Sequence, residues 1–194
     1  MKIGIEAQRI FRKKKHGMDM VVLELIRNLQ QLDHENEYFI FVRPDEDNKV
    51  IRETANFHIV EVNASSYPAW EQIALPRAAE KAGCDILHCT SNTGPLKCKV
   101  PLVLTLHDII YMERSMMSML TGPSTAYQKF GNIYRKLIVP RVMKKSRKII
   151  TVSHFEKVRI AGFFGMEKDA RLTAVYNGVS EHFKPVSDNS ELKR

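Results

Sequence analysis

"LTLHDIIYMER" (104–114) is the stretch on which the fold turns. A run of branched apolar residues that begins at Pro101 ends abruptly in His107-Asp108, and a second apolar run follows. A strand apolar on both faces belongs inside a parallel sheet covered by helices. An imidazole and a carboxylate at its last residues then fall on the carboxyl edge, where such sheets collect ligands.

The same pattern repeats on either side. Strands are expected at "KIGIE" (2–6), "YFIFV" (38–42), "FHIVEV" (57–62), "DILHC" (85–89), "PLVLTL" (101–106), "KIITVS" (148–153) and "RLTAVYNG" (171–178). Between them lie helical segments. Met18, Val21, Val22, Leu25, Leu29 and Leu32 recur at helical spacing. Pro68 opens a helix that Gly83 closes, with a kink expected at Pro76. A long helix is expected over 124–148, interrupted at Pro140, and "HFEKVRIAGFFG" reads as a last one. Strands alternating with helices give an α/β, doubly wound, mainly parallel sheet with helices on both faces. Residues 1–178 form one Rossmann-like domain in this reading. The polar 179–194 form the start of a hinge or linker.

Composition bounds the function. The 194 residues are 44% hydrophobic and 27% charged, ordinary for a globular domain that needs neither disulfides nor metal to hold its core. Three cysteines, with no secretory signal and no apolar run of membrane-spanning length, fit a reduced, cytoplasmic setting. The formal net charge of +8 favours a polyanionic partner: a phosphorylated substrate, an acidic membrane surface or nucleic acid. Nucleic acid is disfavoured, because the chain lacks a helix-turn-helix signature and an aromatic platform within its basic face.

Five features could carry chemistry. Gly17 precedes a helix and could present backbone N–H groups to a phosphate, or merely ease the loop into the helix. The absence of a G-x-G-x-x-G loop disfavours a dinucleotide dehydrogenase. His107 could hydrogen-bond a sugar hydroxyl or exchange a proton, with Asp108 beside it; equally, Asp108 could cap the next turn and His107 be a satisfied rim residue. Cys84, His88 and Cys89 suggest a metal only superficially, since neighbours on a strand point to opposite faces. Arg141, Lys144, Lys145 and Lys148 follow helical spacing and form a candidate membrane face, or a plain solvated one. Ser153 is an expected N-cap, with Glu156 completing a capping box.

In order along the chain, "GIEAQRI…HGMDMVVLELIRNL", "HDIIY", "IYRKLIVPRVMKKSRKIITVSHFEK" and "AVYNGVSEHFKP" resemble the N-terminal half of a family 4 glycosyltransferase of the GT-B fold. The resemblance covers nearly the whole chain. It implies a retaining transferase that moves a sugar from a nucleotide-sugar co-substrate to a glycan or lipid-linked acceptor. No cofactor and no metal are implied; the cysteine usage and the basic face lead to an expected cytoplasmic location, peripheral at the inner face of the membrane. His107 and Asp108 would be the catalytic pair and Gly17 would belong to a donor-phosphate loop. Ser153 would line the cleft, and Asn177 and Gly178 would begin the hinge. The family's C-terminal, donor-binding domain is absent from these 194 residues, so this lobe alone is expected to be inactive. A non-catalytic Rossmann-like ligand-binding module is the alternative.

Overall fold

β1 (Lys2–Glu6) is a buried strand because its neighbours come very close. A Cβ on Gly4 would stand 2.9 Å from the Phe41 ring and 3.1 Å from Leu87, so glycine lets the flanking strands pack tightly there. The computed structural model describes residues 1–113, 115, 117 and 125–178. Among these, β1 pairs in parallel with β2 (Glu37–Val42) on one side and β4 (Ile86–Cys89) on the other. β3 (Phe57–Glu61) extends the first side. β5 (Leu102–Thr105), β6 (Lys148–Thr151) and β7 (Leu172–Ala174) extend the second. The order β3-β2-β1-β4-β5-β6-β7 is parallel throughout, as expected for a doubly wound fold, and it reverses direction between β1 and β4.

Two apolar layers cover the sheet. α1 (Gly17–Leu32) places Val22, Leu23 and Ile26 against Ile5, Ile40 and Phe57 on one face. The other face packs Phe41, Leu87, Leu104 and Ile149 against α3 (Leu75–Ala82), α5 (Ala126–Lys145) and α6 (His154–Phe164). Gly83 and Gly165 end α3 and α6 in the left-handed conformation expected of C-terminal glycines.

Three local expectations are corrected. The helix begun at Pro68 is not of one type along its length. A short α2 (Tyr67–Ala69) runs into a π-helical turn, Trp70–Ala74, and Pro76 then sits in the first turn of α3, where its missing N–H costs nothing. The long helix starts at Ala126 and passes through Pro140 without a break. Ile138, Val139, Val142 and Met143 around that proline are buried, and their packing holds the helix together. It ends at Lys145, capped by Ser146 in extended conformation, so Lys148 opens β6 and shares no helical face with Arg141, Lys144 and Lys145.

Candidate functional site

The strand order reverses between β1 and β4, and doubly wound folds hold their ligands outside the carboxyl ends of the strands at such a switch point. Glu6, the last residue of β1, is only 4% exposed. Its carboxylate accepts hydrogen bonds from the Thr90 backbone N–H (3.2 Å) and hydroxyl (3.0 Å), and from the Gln8 N–H (3.2 Å). Thr90 begins the loop that leaves β4. Two residues on, buried Asn92 has φ = 68°, a conformation asparagine tolerates better than most side chains. The Asn92 N–H donates to the Thr105 carbonyl at 3.2 Å, which lays the loop over the end of β5.

His107 stands on this edge, partly buried, and the loop grips it twice. Its backbone N–H donates to the Asn92 side-chain oxygen at 2.6 Å, and its ring Nε2 lies 2.9 Å from the Thr90 carbonyl. A carbonyl only accepts, so Nε2 carries the proton and the neutral ring keeps Nδ1 as an acceptor. Burial pushes its pKa below the ordinary histidine value, against the pull of the Thr90 carbonyl and of Asp108 and Glu6; the Arg9 charge pushes the same way as burial. His107 therefore presents an acceptor lone pair at Nδ1 on this edge, while its one ring proton is spent on the Thr90 carbonyl. Asp108 turns to structure: its Oδ1 accepts the Ile110 N–H at 3.1 Å and caps α4 (Ile110–Glu113).

A second buried carboxyl lies behind the loop. Glu71, in the π turn, is 2% exposed, whereas Ile73 in the same turn is 49% exposed. Glu71 Oε1 meets the Tyr134 hydroxyl (2.7 Å) and the Gln72 amide (2.9 Å), and Oε2 meets the Tyr67 hydroxyl (2.7 Å) and that of Thr93. Burial raises the Glu71 pKa, against the hydrogen bonds from Thr93, Tyr134 and Tyr67.

Gly17 is the first residue of α1, and a Cβ there would meet open space. No steric need for glycine arises from the chain itself. Asp19 already occupies the helix start: it accepts the His16 N–H at 2.9 Å and pairs with Arg9 at 3.1 Å. Ser153 caps α6, accepting the Glu156 N–H at 3.1 Å. The capping box is not completed: Glu156 Oε1 turns to Arg159 at 3.0 Å, and its other oxygen bonds nothing among the described residues. Asn177 and Gly178 are exposed after β7, and the "HFKP" that follows them lies outside the described residues. Arg141, Lys144 and Lys145 are exposed on α5; Lys148 donates to the Ala170 carbonyl at 3.2 Å.

Cys84 and Cys89 are free and buried, while His88 points to the other face and bonds the Thr105 hydroxyl at 2.7 Å. Among the described residues no group of three or more His, Cys, Asp or Glu side chains is placed to hold a metal ion, and no helix is long and apolar enough to cross a membrane.

Glu6, Thr90, Asn92 and Glu71 escaped the sequence reading. An acid closing an apolar strand at the ligand edge was a usable signal for Glu6. The polar run "TSNT" (90–93) has the composition of an ordinary turn and carries no sign of a site. Nothing marked Glu71, because the π turn shifts the helical phase that periodicity relies on.

This arrangement defines a Rossmann-like lobe whose ligand edge is built from β1, the β4–β5 loop and His107. The fold is that of GT-B glycosyltransferases. Two crystal structures of HepE from Anabaena resemble it: one in complex with UDP-glucose (15% identity, TM-score 0.53, 99% of this chain and 48% of that one), the other with UDP and glucose (14%, 0.51, 99% and 49%). The chain thus spans about half the length of these neighbours. A comparison with the curated proteins finds no match. The sequence profile of Glycosyltransferase Family 4 matches residues 16–183, and the chain belongs to that family.

Proposed function

We propose that this chain is the acceptor-side lobe of a retaining glycosyltransferase that uses a nucleotide-sugar, and that it works with a donor-binding lobe facing the β1–β4 switch point. The observation that carries the reading is the fixed imidazole of His107 on that edge, held by Asn92 and Thr90. HepE, whose fold is similar, binds UDP-glucose, which makes a uridine nucleotide-sugar the first donor to try.

In this reading His107 Nδ1 accepts a hydrogen bond from a hydroxyl of the sugar being transferred and orients it. The Thr90 carbonyl holds the ring, Glu6 fixes Thr90 and Asn92 fixes the His107 backbone, so that little reorganisation is needed as charge develops on the sugar. Asp108 contributes by fixing the turn after His107. The open space over Gly17 leaves room for a diphosphate near the start of α1. Ser153 lines the far side of the cleft, and Asn177-Gly178 carries the chain towards the second lobe. No metal is required by these roles. The acceptor is a glycan, free or lipid-linked, and the exposed Arg141, Lys144 and Lys145 bring the lobe to an anionic cytoplasmic membrane face.

A transfer assay on the full reading frame containing these 194 residues, with a panel of nucleotide-sugars, tests this. The expected product keeps the donor's anomeric configuration, read by the anomeric proton coupling, and the 194-residue lobe alone gives none. An inverted product would end the retaining assignment, and robust turnover by the lobe alone would end the need for a partner lobe.

A further inference from the structure

The β4–β5 loop that grips His107 is itself anchored at both ends by buried carboxyl groups. At Thr90 the anchor is Glu6, at the end of β1. At Thr93 the anchor is Glu71, which serves no step of the proposed transfer. A buried carboxyl is costly to keep unless its partners matter. Its partners come from three segments: Tyr67 and Gln72 from the continuous helical run of α2 and the π turn, Thr93 from the loop, and Tyr134 from α5. Gln72 extends the ring by donating to the Gly94 carbonyl (3.0 Å) and accepting the Leu96 N–H (2.9 Å), so the whole turn after Asn92 hangs from this cluster.

The proton count is informative. Glu71 Oε2, the Tyr67 hydroxyl and the Thr93 hydroxyl lie mutually within hydrogen-bond distance, which makes three contacts. Tyrosine and threonine supply two protons between them, and a third fills the ring if the carboxyl is protonated. Burial favours the same state.

We propose that Glu71 is a positioning residue for His107: through Thr93 it locks the loop whose Asn92 side chain and Thr90 carbonyl fix the height and tautomer of that imidazole. The inference rests on His107 being the working group of the site, but its test does not depend on turnover.

The readout is the pair of ring nitrogens of His107 in the 194-residue protein, followed by 15N-edited NMR across pH. Arg9 and Glu6 from the β1 side, His88 from β4, and Asp108 next in sequence also act on this ring, so variants are compared with all of these unchanged. Thr93→Val, and Glu71→Ala where it folds, are expected to replace the single Nε2–H tautomer by an averaged pair and to move the titration up towards the ordinary histidine value. Tyr134→Phe removes from α5 a partner of Glu71 (2.7 Å) and of Gln72 (2.8 Å) while leaving the Thr93 link between Glu71 and the loop in place, and should lower thermal stability while leaving the His107 nitrogens as they are. Unchanged His107 signals in Thr93→Val would overturn the proposal. So would an equal disturbance in Tyr134→Phe, which would reduce Glu71 to general support of the core. A glycosyl-transfer assay indifferent to His107 would instead remove the functional reading and leave this coupling intact.

Discussion

A histidine at a strand end can be read from sequence; what its two nitrogens do cannot. His107 was legible because an apolar strand ends there, on the edge where parallel sheets present ligands. Which nitrogen is engaged depends on a carbonyl seventeen residues away, at Thr90, and no local pattern encodes that contact. Its neighbour His88 makes a sharper case. Burial, and then the nearby His107, push its pKa down to about 4, while the unfolded chain keeps an ordinary value of about 6.5. Above about pH 6.5 neither state is protonated and the full stability is present. As pH falls from there towards 4, the unfolded chain takes up a proton that the folded one refuses, and stability declines. His107 shifts the same way and adds to the decline. Urea midpoints at pH 7 and 4.5 should therefore fall, and fall less in His88→Gln, where the amide keeps a partner for the Thr105 hydroxyl. An equal fall in both proteins would mean that His88 is protonated in the fold.

Elements followed the hydrophobic pattern where tertiary packing agreed with it. β1 matched to the residue, and both C-terminal glycines ended their helices as read. The pattern failed at the prolines. Buried Val139 and Val142 carry α5 through Pro140, and a π turn precedes Pro76 where a uniform α-helix was read. The N-cap of α6 was legible because a Ser before a helical run satisfies an orphan N–H whatever surrounds it. Ser153→Ala should cost about 1 kcal/mol of stability, read by chemical unfolding, with Ser153→Asp restoring it. A loss of the same size in both would assign Ser153 to something other than the cap. The basic stretch splits at Ser146, which leaves Arg141, Lys144 and Lys145 as its helical part. If these meet an acidic membrane, changing Arg141 and Lys144 to Gln should lower binding to phosphatidylglycerol vesicles by roughly tenfold or more, at about 1 kcal/mol for each charge lost. Unchanged partitioning would leave that face simply solvated.

Taken whole, the described residues form a single Rossmann-like lobe. Seven parallel strands, two apolar layers and a reversal between β1 and β4 bring Glu6, Thr90, Asn92 and His107 to one rim, although they lie 101 residues apart in sequence from first to last. The doubly wound class was legible from alternation and two-sided apolar strands. The rim's inner supports were not, because buried carboxyls and a left-handed asparagine are fixed by contacts between distant segments. What the rim does is decided by the imidazole it holds. The most direct measurement is kcat for sugar transfer by the full reading frame with His107 intact and with His107→Ala, both verified as folded. A fall of about a hundredfold or more in the variant is expected of a fixed group acting on the reacting sugar. Native turnover in His107→Ala would contradict the claim that this edge is where the sugar is held.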